Sequence, residues 1–342
     1  MGKKILVTGG TGYIGSHTVV ELISRGYEVI IADNLSNSYI TVVDAIEKIA
    51  GIRPLFIKTE LTDIAQTKLL FEENKEICGV IHFAAKKAVG ESVEQPLLYY
   101  HNNLFSLINI LQCMQEKGIH NLVFSSSCTV YGQPKILPVR EDSPIQPAMS
   151  PYGNTKQISE EMIKDKASIS DLKAVLLRYF NPIGAHDSAL IGELPIGIPN
   201  NLVPFITQTA IGKREFLRVF GNDYNTPDGS CIRDYIHVVD LAKAHITALE
   251  RMLNNENKQA VEIFNIGTGT GYSVLEVINT FEKASAVRLN FRVAPRREGD
   301  IEQIYADTTL ANEELGWQAE KDLYNMLASA WKWELHLKSL EV

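Results

Sequence analysis

The sequence predicts an α/β chain: a doubly wound parallel sheet with a smaller, interleaved C-terminal substrate-binding domain. Three observations lead there. Short apolar runs alternate with amphipathic stretches through the first half of the chain. A glycine-rich turn follows the first apolar run and opens the first amphipathic stretch. The alternation breaks after Asn181 and resumes near residue 238.

The apolar runs lie at 4–8, 28–33, 55–58, 80–84, 122–126 and 174–180. Several are continuous rather than alternating, as strands covered on both faces require. Helices are predicted at 15–24, 41–49, 64–74, 96–116 and 151–166. Strand and helix in alternation imply parallel pairing with right-handed crossovers. Residues 182–235 are rich in Gly, Pro and Asn and read as loops around a ligand. A helix at 238–253 and a strand at 261–267 then rejoin the sheet. Further helices are expected at 273–284 and 324–333. The domain reading is a cofactor domain, 1–181 joined by about 236–268, and a substrate domain from 182–235 and 269–342.

Bulk properties narrow the class. The 342 residues suit one large or two medium domains, and 45% hydrophobic with 22% charged residues is ordinary for a globular protein. The formal charge of -8, without a Lys/Arg run, argues against a nucleic-acid partner. Cys78, Cys113, Cys128 and Cys231 are scattered, with no C-x-x-C, so neither a metal site nor a disulfide framework is expected. They fit free thiols in a reducing cytoplasm. No apolar segment approaches a membrane span, and the first one is too short for a signal peptide.

VTGGTGYIG places G-x-G-x-x-G at Gly10, Gly12 and Gly15, with Gly9 before it. Such glycines let backbone approach a pyrophosphate, and the helix N-terminus supplies N–H groups and positive potential. The next strand ends at Asp33, eighteen residues beyond Gly15. A carboxylate there accepts ribose hydroxyls and repels a 2′-phosphate, which favours NAD over NADP. Phe83, Ala84 and Ala85, at a strand end, would pack on the dinucleotide.

Tyr152 and Lys156 stand four residues apart in SPYGNTK, on one helical face. An ammonium ~4 Å from a phenol is worth up to ~4 kcal/mol at an effective dielectric of ~20, which would bring the phenol toward neutral pH as a general base. Ser127, at the end of FSSS, could share the hydrogen bond to the same substrate oxygen. A dinucleotide fold with this dyad points to proton removal from an alcohol while hydride leaves its carbon.

With these residues in this order the chain resembles the extended short-chain dehydrogenase/reductases, and among them the UDP-glucose 4-epimerases. The likeness runs over nearly the whole length. It is carried by VTGGTGYIGSHT, DNLSNS, HFAAKKAVGES, FSSSCTVYG, SPYGNTK, LRYFNPIGAH, GIPNNLVPFI, VFGNDYNTPDGSCIRDYIHVVDLA and APRREGD. The resemblance implies a retained NAD that takes hydride from C4 of a UDP-sugar and returns it to the opposite face. Tyr152 would be the base, with Lys156 and Ser127 assisting. It implies cofactor contacts from Tyr13, Ile14, Asn34, Leu35, Ser36, Asn37, Ser38, Glu60, Leu61, Lys86, Lys87, Asn102 and Phe180. It implies substrate contacts from Asn181, Asn201 and Leu202, a uridine wall of Arg218, Val219 and Phe220, diphosphate ligands Arg233 and Arg297, and a ribose ligand Asp300. It also implies a homodimer built on 96–116 and 151–166.

Two positions depart from the pattern. Glu60 stands where an Asp near the adenine is usual. Ile304, before Y-A-D, is intermediate in bulk at the place where an aromatic excludes N-acetyl sugars and a small residue admits them. Activity on UDP-galactose and UDP-glucose is expected, with little on the N-acetyl pair. Sister enzymes remain as alternatives, as does a non-enzymatic NAD sensor. Dehydratases and decarboxylases, however, place acids where this chain has Cys128 and Thr129.

Overall fold

The computed structural model describes residues 2–297 and 300–340; position 1 of the expected 1–181 segment and positions 298, 299, 341 and 342 of the expected 269–342 segment lie outside them. Seven parallel strands form the main sheet: β1 (Lys4–Thr8), β2 (Glu28–Asp33), β3 (Leu55–Lys58), β4 (Ile77–His82), β5 (Asn121–Ser125), β6 (Lys173–Tyr179) and β10 (Val261–Ile266). Their order is β10-β6-β5-β4-β1-β2-β3, so the chain winds outward from β1 in both directions. Helices α1 (Tyr13–Ser24), α2 (Thr41–Ala50) and α8 (Val238–Leu253) cover one face. Helices α3 (Ile64–Glu73), α5 (Pro96–Lys117) and α6 (Pro151–Ser168) cover the other. A short α4 (Val89–Glu94) leads into α5.

The continuous apolar runs are explained by this double cover. Successive strand side chains point to opposite faces. Ile5, Val7, Val29 and Ile31 therefore pack under α1 and α2, while Leu6, Ile30 and Ala32 pack under α3 and α5. All seven are buried. Each fully buried aliphatic of this kind stabilises the fold by about 1.5–3 kcal/mol.

The stretch expected to be loops is folded. Residues 182–235 contain most of β7 (Asn181–Ile183), α7 (Leu202–Ala210), β8 (Leu217–Phe220) and the start of β9 (Ile232–His237). β9 pairs with β7, β11 (Gly271–Ser273) and β13 (Gln303–Ile304), while β8 pairs with β12 (Phe291–Ala294). Helices α9 (Val274–Ser285) and α10 (Leu323–Leu340) close a separate core containing Val203, Ile206, Leu217, Val219, Tyr235, Phe281 and Met326. The C-terminal helix is longer than the 324–333 expected, and β4 ends at His82, which leaves Phe83 and Ala84 on the loop beyond it.

Candidate active site

The site lies at the C-terminal ends of β1, β2, β4, β5 and β6, where doubly wound sheets place their ligands. The glycine turn joins β1 to α1. Gly12 N donates to Gly9 O at 3.1 Å, and a Cβ on Gly15 would come within 2.2 Å of that same carbonyl. Only glycine fits at 15, and the turn stays tight enough to start α1 at Tyr13. The first turn of α1 has no acidic residue, and no side chain caps it. Its N–H groups therefore face outward with their positive end dipole. Tyr13 Oη donates to Gly184 O at 2.6 Å, which ties the turn to the other half of the molecule.

Asp33 closes the floor beside this turn. Its carboxylate accepts from Thr11 N at 3.2 Å and Leu35 N at 2.9 Å. Asn34 Nδ2 donates to Glu60 Oε2 at 2.8 Å. Burial alone would raise the Glu60 carboxyl, but hydrogen bonds from Asn34 and Thr62 outweigh it and hold the group below its usual range. The extra methylene of Glu60 thus leaves a charged carboxylate joined to the Asp33 loop. Ser36 N donates to Asn34 Oδ1, Ser38 Oγ lies 2.7 Å from Thr11 Oγ1, and Asn37 is exposed. Leu61 turns into the core beside α3 and offers this surface only its backbone.

Past β4, Phe83 packs on His245 with ring centroids 4.6 Å apart. Ala84 N donates to Thr8 Oγ1 at 3.3 Å. Lys86 N donates to Asn103 Oδ1 at 2.8 Å, and Asn103 Nδ2 donates to Lys86 O and to Thr155 Oγ1. Asn103 is thus the buried fastener between this loop and α6. The sequence reading selected its neighbour Asn102, which hydrogen-bonds Asn103. Burial at the i−4 position from Leu107 was the available signal for Asn103.

Ser127, Tyr152 and Lys156 come together. Ser127 caps a 3-10 turn at Cys128–Tyr131 and accepts from Thr129 N. Ser150 caps α6 and accepts from Gly153 N, with Pro151 and Tyr152 in its first turn. Lys156 Nζ donates to Ser125 O at 2.7 Å and lies 4.8 Å over the Phe124 ring. It is 6.0 Å from the Tyr152 ring centroid.

The electrostatics correct the expectation drawn from the dyad's spacing. Burial pushes the Tyr152 phenol well above its usual value, and the Ser127 hydrogen bond offsets only part of that. Burial also pulls Lys156 down to about 8, with the Glu160 charge opposing. The Lys156 ammonium is directed at the Ser125 carbonyl rather than at the phenol. The protein alone holds Tyr152 neutral.

Beneath the dyad runs a buried network. Arg178 Nη2 and Glu160 Oε2 are 2.6 Å apart, at 2% and 3% side-chain exposure. Ser126 Oγ donates to Glu160 Oε1, and Arg178 Nη1 donates to Tyr131 Oη. The network fixes the strand end and the 3-10 turn on either side of Ser127. Nothing in the sequence reading selected Glu160 or Arg178; Glu160, one further turn from Lys156, was the available signal.

Phe180, expected at the cofactor, and the residues expected to hold substrate follow β6 in the chain. Phe180 is buried, and Asn181 begins β7. Asn201 stands before α7 and donates to Glu193 Oε1 at 2.6 Å; Leu202 follows it. On β8, Arg218 and Phe220 face away from the core, whereas Val219 turns into it and can contribute only backbone to a uridine wall. Arg233 Nη1 donates to Ile232 O at 2.8 Å. Arg297 pairs with Asp300 at 2.8 Å and lies 5.3 Å over the Phe220 ring. Ile304 is buried, pairs in register with Arg233, and packs with Tyr131, Val139 and Phe180.

Fold, glycine turn and Ser-Tyr-Lys cluster together define an extended short-chain dehydrogenase/reductase. The family model described as GDP-mannose 4,6 dehydratase matches residues 6–330. The UDP-glucose 4-epimerase of Bacillus subtilis is 51% identical over 96% of both chains, and the human one 48% identical over 98% of this chain and 97% of its own. A UDP-glucose 4-epimerase structure from Stenotrophomonas maltophila, with bound NAD and formylated UDP-arabinopyranose, superposes with TM-score 0.95 at 47% identity and 99% coverage of both chains. One from Bifidobacterium longum, in complex with NAD+ and UDP, gives TM-score 0.92 at 45% identity, covering 97% of this chain and 98% of its own. The chain belongs to the UDP-glucose 4-epimerase family.

Proposed function

We propose that this chain is an NAD-dependent UDP-glucose 4-epimerase, interconverting UDP-galactose and UDP-glucose through a 4-keto sugar. The residues present fit the dinucleotide: an uncapped helix start, a turn that only Gly15 allows, and the Asp33 carboxylate at the end of β2. NAD, when bound, supplies the hydride acceptor and donor for C4 and a positive charge near the dyad. Gly9 to Gly15, Asp33 to Ser38, Glu60, Phe83 to Lys87, Asn102 and Phe180 hold it. Tyr152 takes the C4 hydroxyl proton and gives it back, Ser127 bridges the sugar oxygen, and Lys156 supports the developing phenolate. Burial pushes the Tyr152 phenol up in the protein alone, and Ser127, which hydrogen-bonds it, offsets part of that.

Arg233 and Arg297 suit the two phosphates as bidentate donors. Asn181, Asn201, Leu202, Arg218, Phe220 and Asp300 complete the UDP anchor, and Ile304 floors the sugar pocket. The observation that carries the reading is the meeting of Ser127, Tyr152 and Lys156 with no carboxylate at 128 or 129. At the two positions where dehydratases need carboxylates, burial holds the Cys128 thiol up at about 12 and leaves Thr129 Oγ1 without a hydrogen-bond partner. Neither can move a proton for elimination. The alternative within the family, an N-acetylhexosamine 4-epimerase, turns on Ile304, which is intermediate in bulk and packs with Tyr131, Val139 and Phe180; little activity on the N-acetyl pair is expected.

No helix among the described residues is long and apolar enough to cross a membrane, and the four cysteines are free thiols, in keeping with a cytoplasmic enzyme. A homodimer through α5 and α6 completes the proposal. The deciding experiment is proton NMR of the purified protein with UDP-galactose and no added NAD. Conversion to a stable mixture with UDP-glucose supports the reading. A 4-keto product, or silence even after NAD is added, overturns it.

A further inference from the structure

We infer that Glu193 couples the dinucleotide half of the site to the UDP-sugar half, as a positioning residue that holds Lys87 and Asn201 through one carboxylate oxygen. The inference rests on the function proposed above. Glu193 Oε1 accepts from Asn201 Nδ2 at 2.6 Å and lies 3.4 Å from Lys87 Nζ. Lys87 follows β4 on the cofactor side, and Asn201 precedes α7 on the substrate side.

The backbone of Glu193 is fixed independently of either partner. Residues 185–192 close on themselves: Ala185 bridges Gly192, and His186 N donates to Ile191 O at 3.1 Å. Trp333 of α10 lies against Gly192 so closely that a Cβ there would fall 2.5 Å from the indole. The Trp333 Nε1–H donates to Glu193 O at 3.0 Å. Gly192 and Trp333 thus deliver Glu193 to one place.

Its side chain is only 12% exposed, while that of Lys87 is 49% exposed. A carboxylate this far from water needs a partner charge or donors. Lys87 and Asn201 supply both, and the exposed lysine takes its position from the fixed carboxylate. The same ammonium sits 5.9 Å over the Tyr13 ring at the start of α1. Tyr13 Oη returns to Gly184 O, just before the 185–192 segment. Burial, and then the charge of Glu193, push the Tyr13 phenol up. Tyr13, Gly184, Glu193 and Lys87 therefore form a closed circuit, and Asn201 hangs from its carboxylate. A ligand that orders Lys87 orders Glu193 for Asn201, and the reverse holds by reciprocity.

The test measures loss of bound NAD from the holoenzyme into NAD-free buffer, with and without saturating UDP, beside the calorimetric Kd of UDP. In the native chain UDP slows NAD loss by about tenfold, within the usual range of coupling between sites. Glu193→Gln keeps an acceptor for Asn201 but loses the charge that holds Lys87. The ratio falls toward one and UDP binding to the loaded protein weakens, while kcat at saturating UDP-galactose is retained. Lys87→Met loses the same ratio, and the double variant loses no more, as residues acting as one unit require. A Gln variant in which both ligands weaken but the ratio persists has only lost structure, and overturns the coupling. So does a native chain that binds both ligands with no effect of UDP on NAD loss. A native chain that binds neither refutes the underlying functional reading instead.

Discussion

Tyr152 is 7% exposed and lies in the first turn of α6 with its phenol against Ser127. Tyr152→Phe removes the proton carrier and little else, since the ring stays packed. We expect kcat to fall by ~10²–10⁴, the usual contribution of a positioned acid–base group, with NAD still bound after gel filtration. A variant that turns over at the native rate would remove Tyr152 from the chemistry. Lys156 carries a second, thermodynamic signature in the cofactor-free chain. Burial lowers it to about 8 from 10.5, against the pull of Glu160. Between those values the unfolded chain holds a proton that the folded chain has lost. Stability therefore rises with pH across about 8 to 10.5, by roughly 3 kcal/mol from this residue. Tyr152, pushed up, opposes this above its own ordinary value near 10, and the buried thiols of Cys78, Cys113 and Cys128, also pushed up, oppose it from about 9. The Lys156 contribution is therefore read as a difference: between pH 8 and pH 10 in urea, the stability of the native chain should gain on that of Lys156→Met, and a constant difference would deny it. Identity and spacing of the dyad were legible in the sequence. Their protonation was not, because it depends on the Ser125 carbonyl and on how much water the fold removes.

At the scale of elements, legibility followed the regularity of the pattern. β1, β2 and β3 carry apolar runs set between amphipathic helices, and α1 is marked by its glycines. The strands β8, β9, β11, β12 and β13 span two to six residues and pair across gaps of many tens of residues. No local period reveals such pairing. α7 was masked by its composition: LVPFITQTA has Pro in its first turn, where a missing N–H costs nothing. The buried Glu160–Arg178 pair was equally silent, since charged residues in an amphipathic helix and a strand read as surface. Its consequence is testable. Glu160→Gln leaves the Arg178 guanidinium short of its counter-charge and should destabilise by about 3–5 kcal/mol, whereas joint replacement of both by Met should cost less than either single change. Urea midpoints decide this, and an additive double variant would deny the pairing. In the turn, Gly15→Ala drives a Cβ into the Gly9 carbonyl, and the chain should be recovered without NAD.

At the scale of the whole molecule, one helix exposes an apolar stripe. The outward stripe of α5 carries Leu97, His101, Phe105, Ile108 and Gln112, spaced for a single helical face. Leu97 is 80% exposed and Phe105 49%, and Val93 of α4 and Met149 before α6 extend the apolar area. Val93, Tyr100, Met149 and Pro151 line one open groove along it. Contiguous apolar surface of this kind is costly unless covered, and a second copy of α5 and α6 offers a self-complementary cover about a twofold axis. The opposite side of the same helices holds Asn103 and Lys156, so the proposed interface backs directly onto the site. A stable pair needs about 1,200–2,000 Å² buried in total, which calls on both helices. Light scattering should therefore give twice the 38.1 kDa chain mass at micromolar concentration. Phe105→Glu, which places a charge mid-stripe and leaves the buried face untouched, should give the single chain mass with the helical content unchanged. A native chain that scatters as a monomer would refute the dimer. A variant that stays dimeric would move the interface off α5.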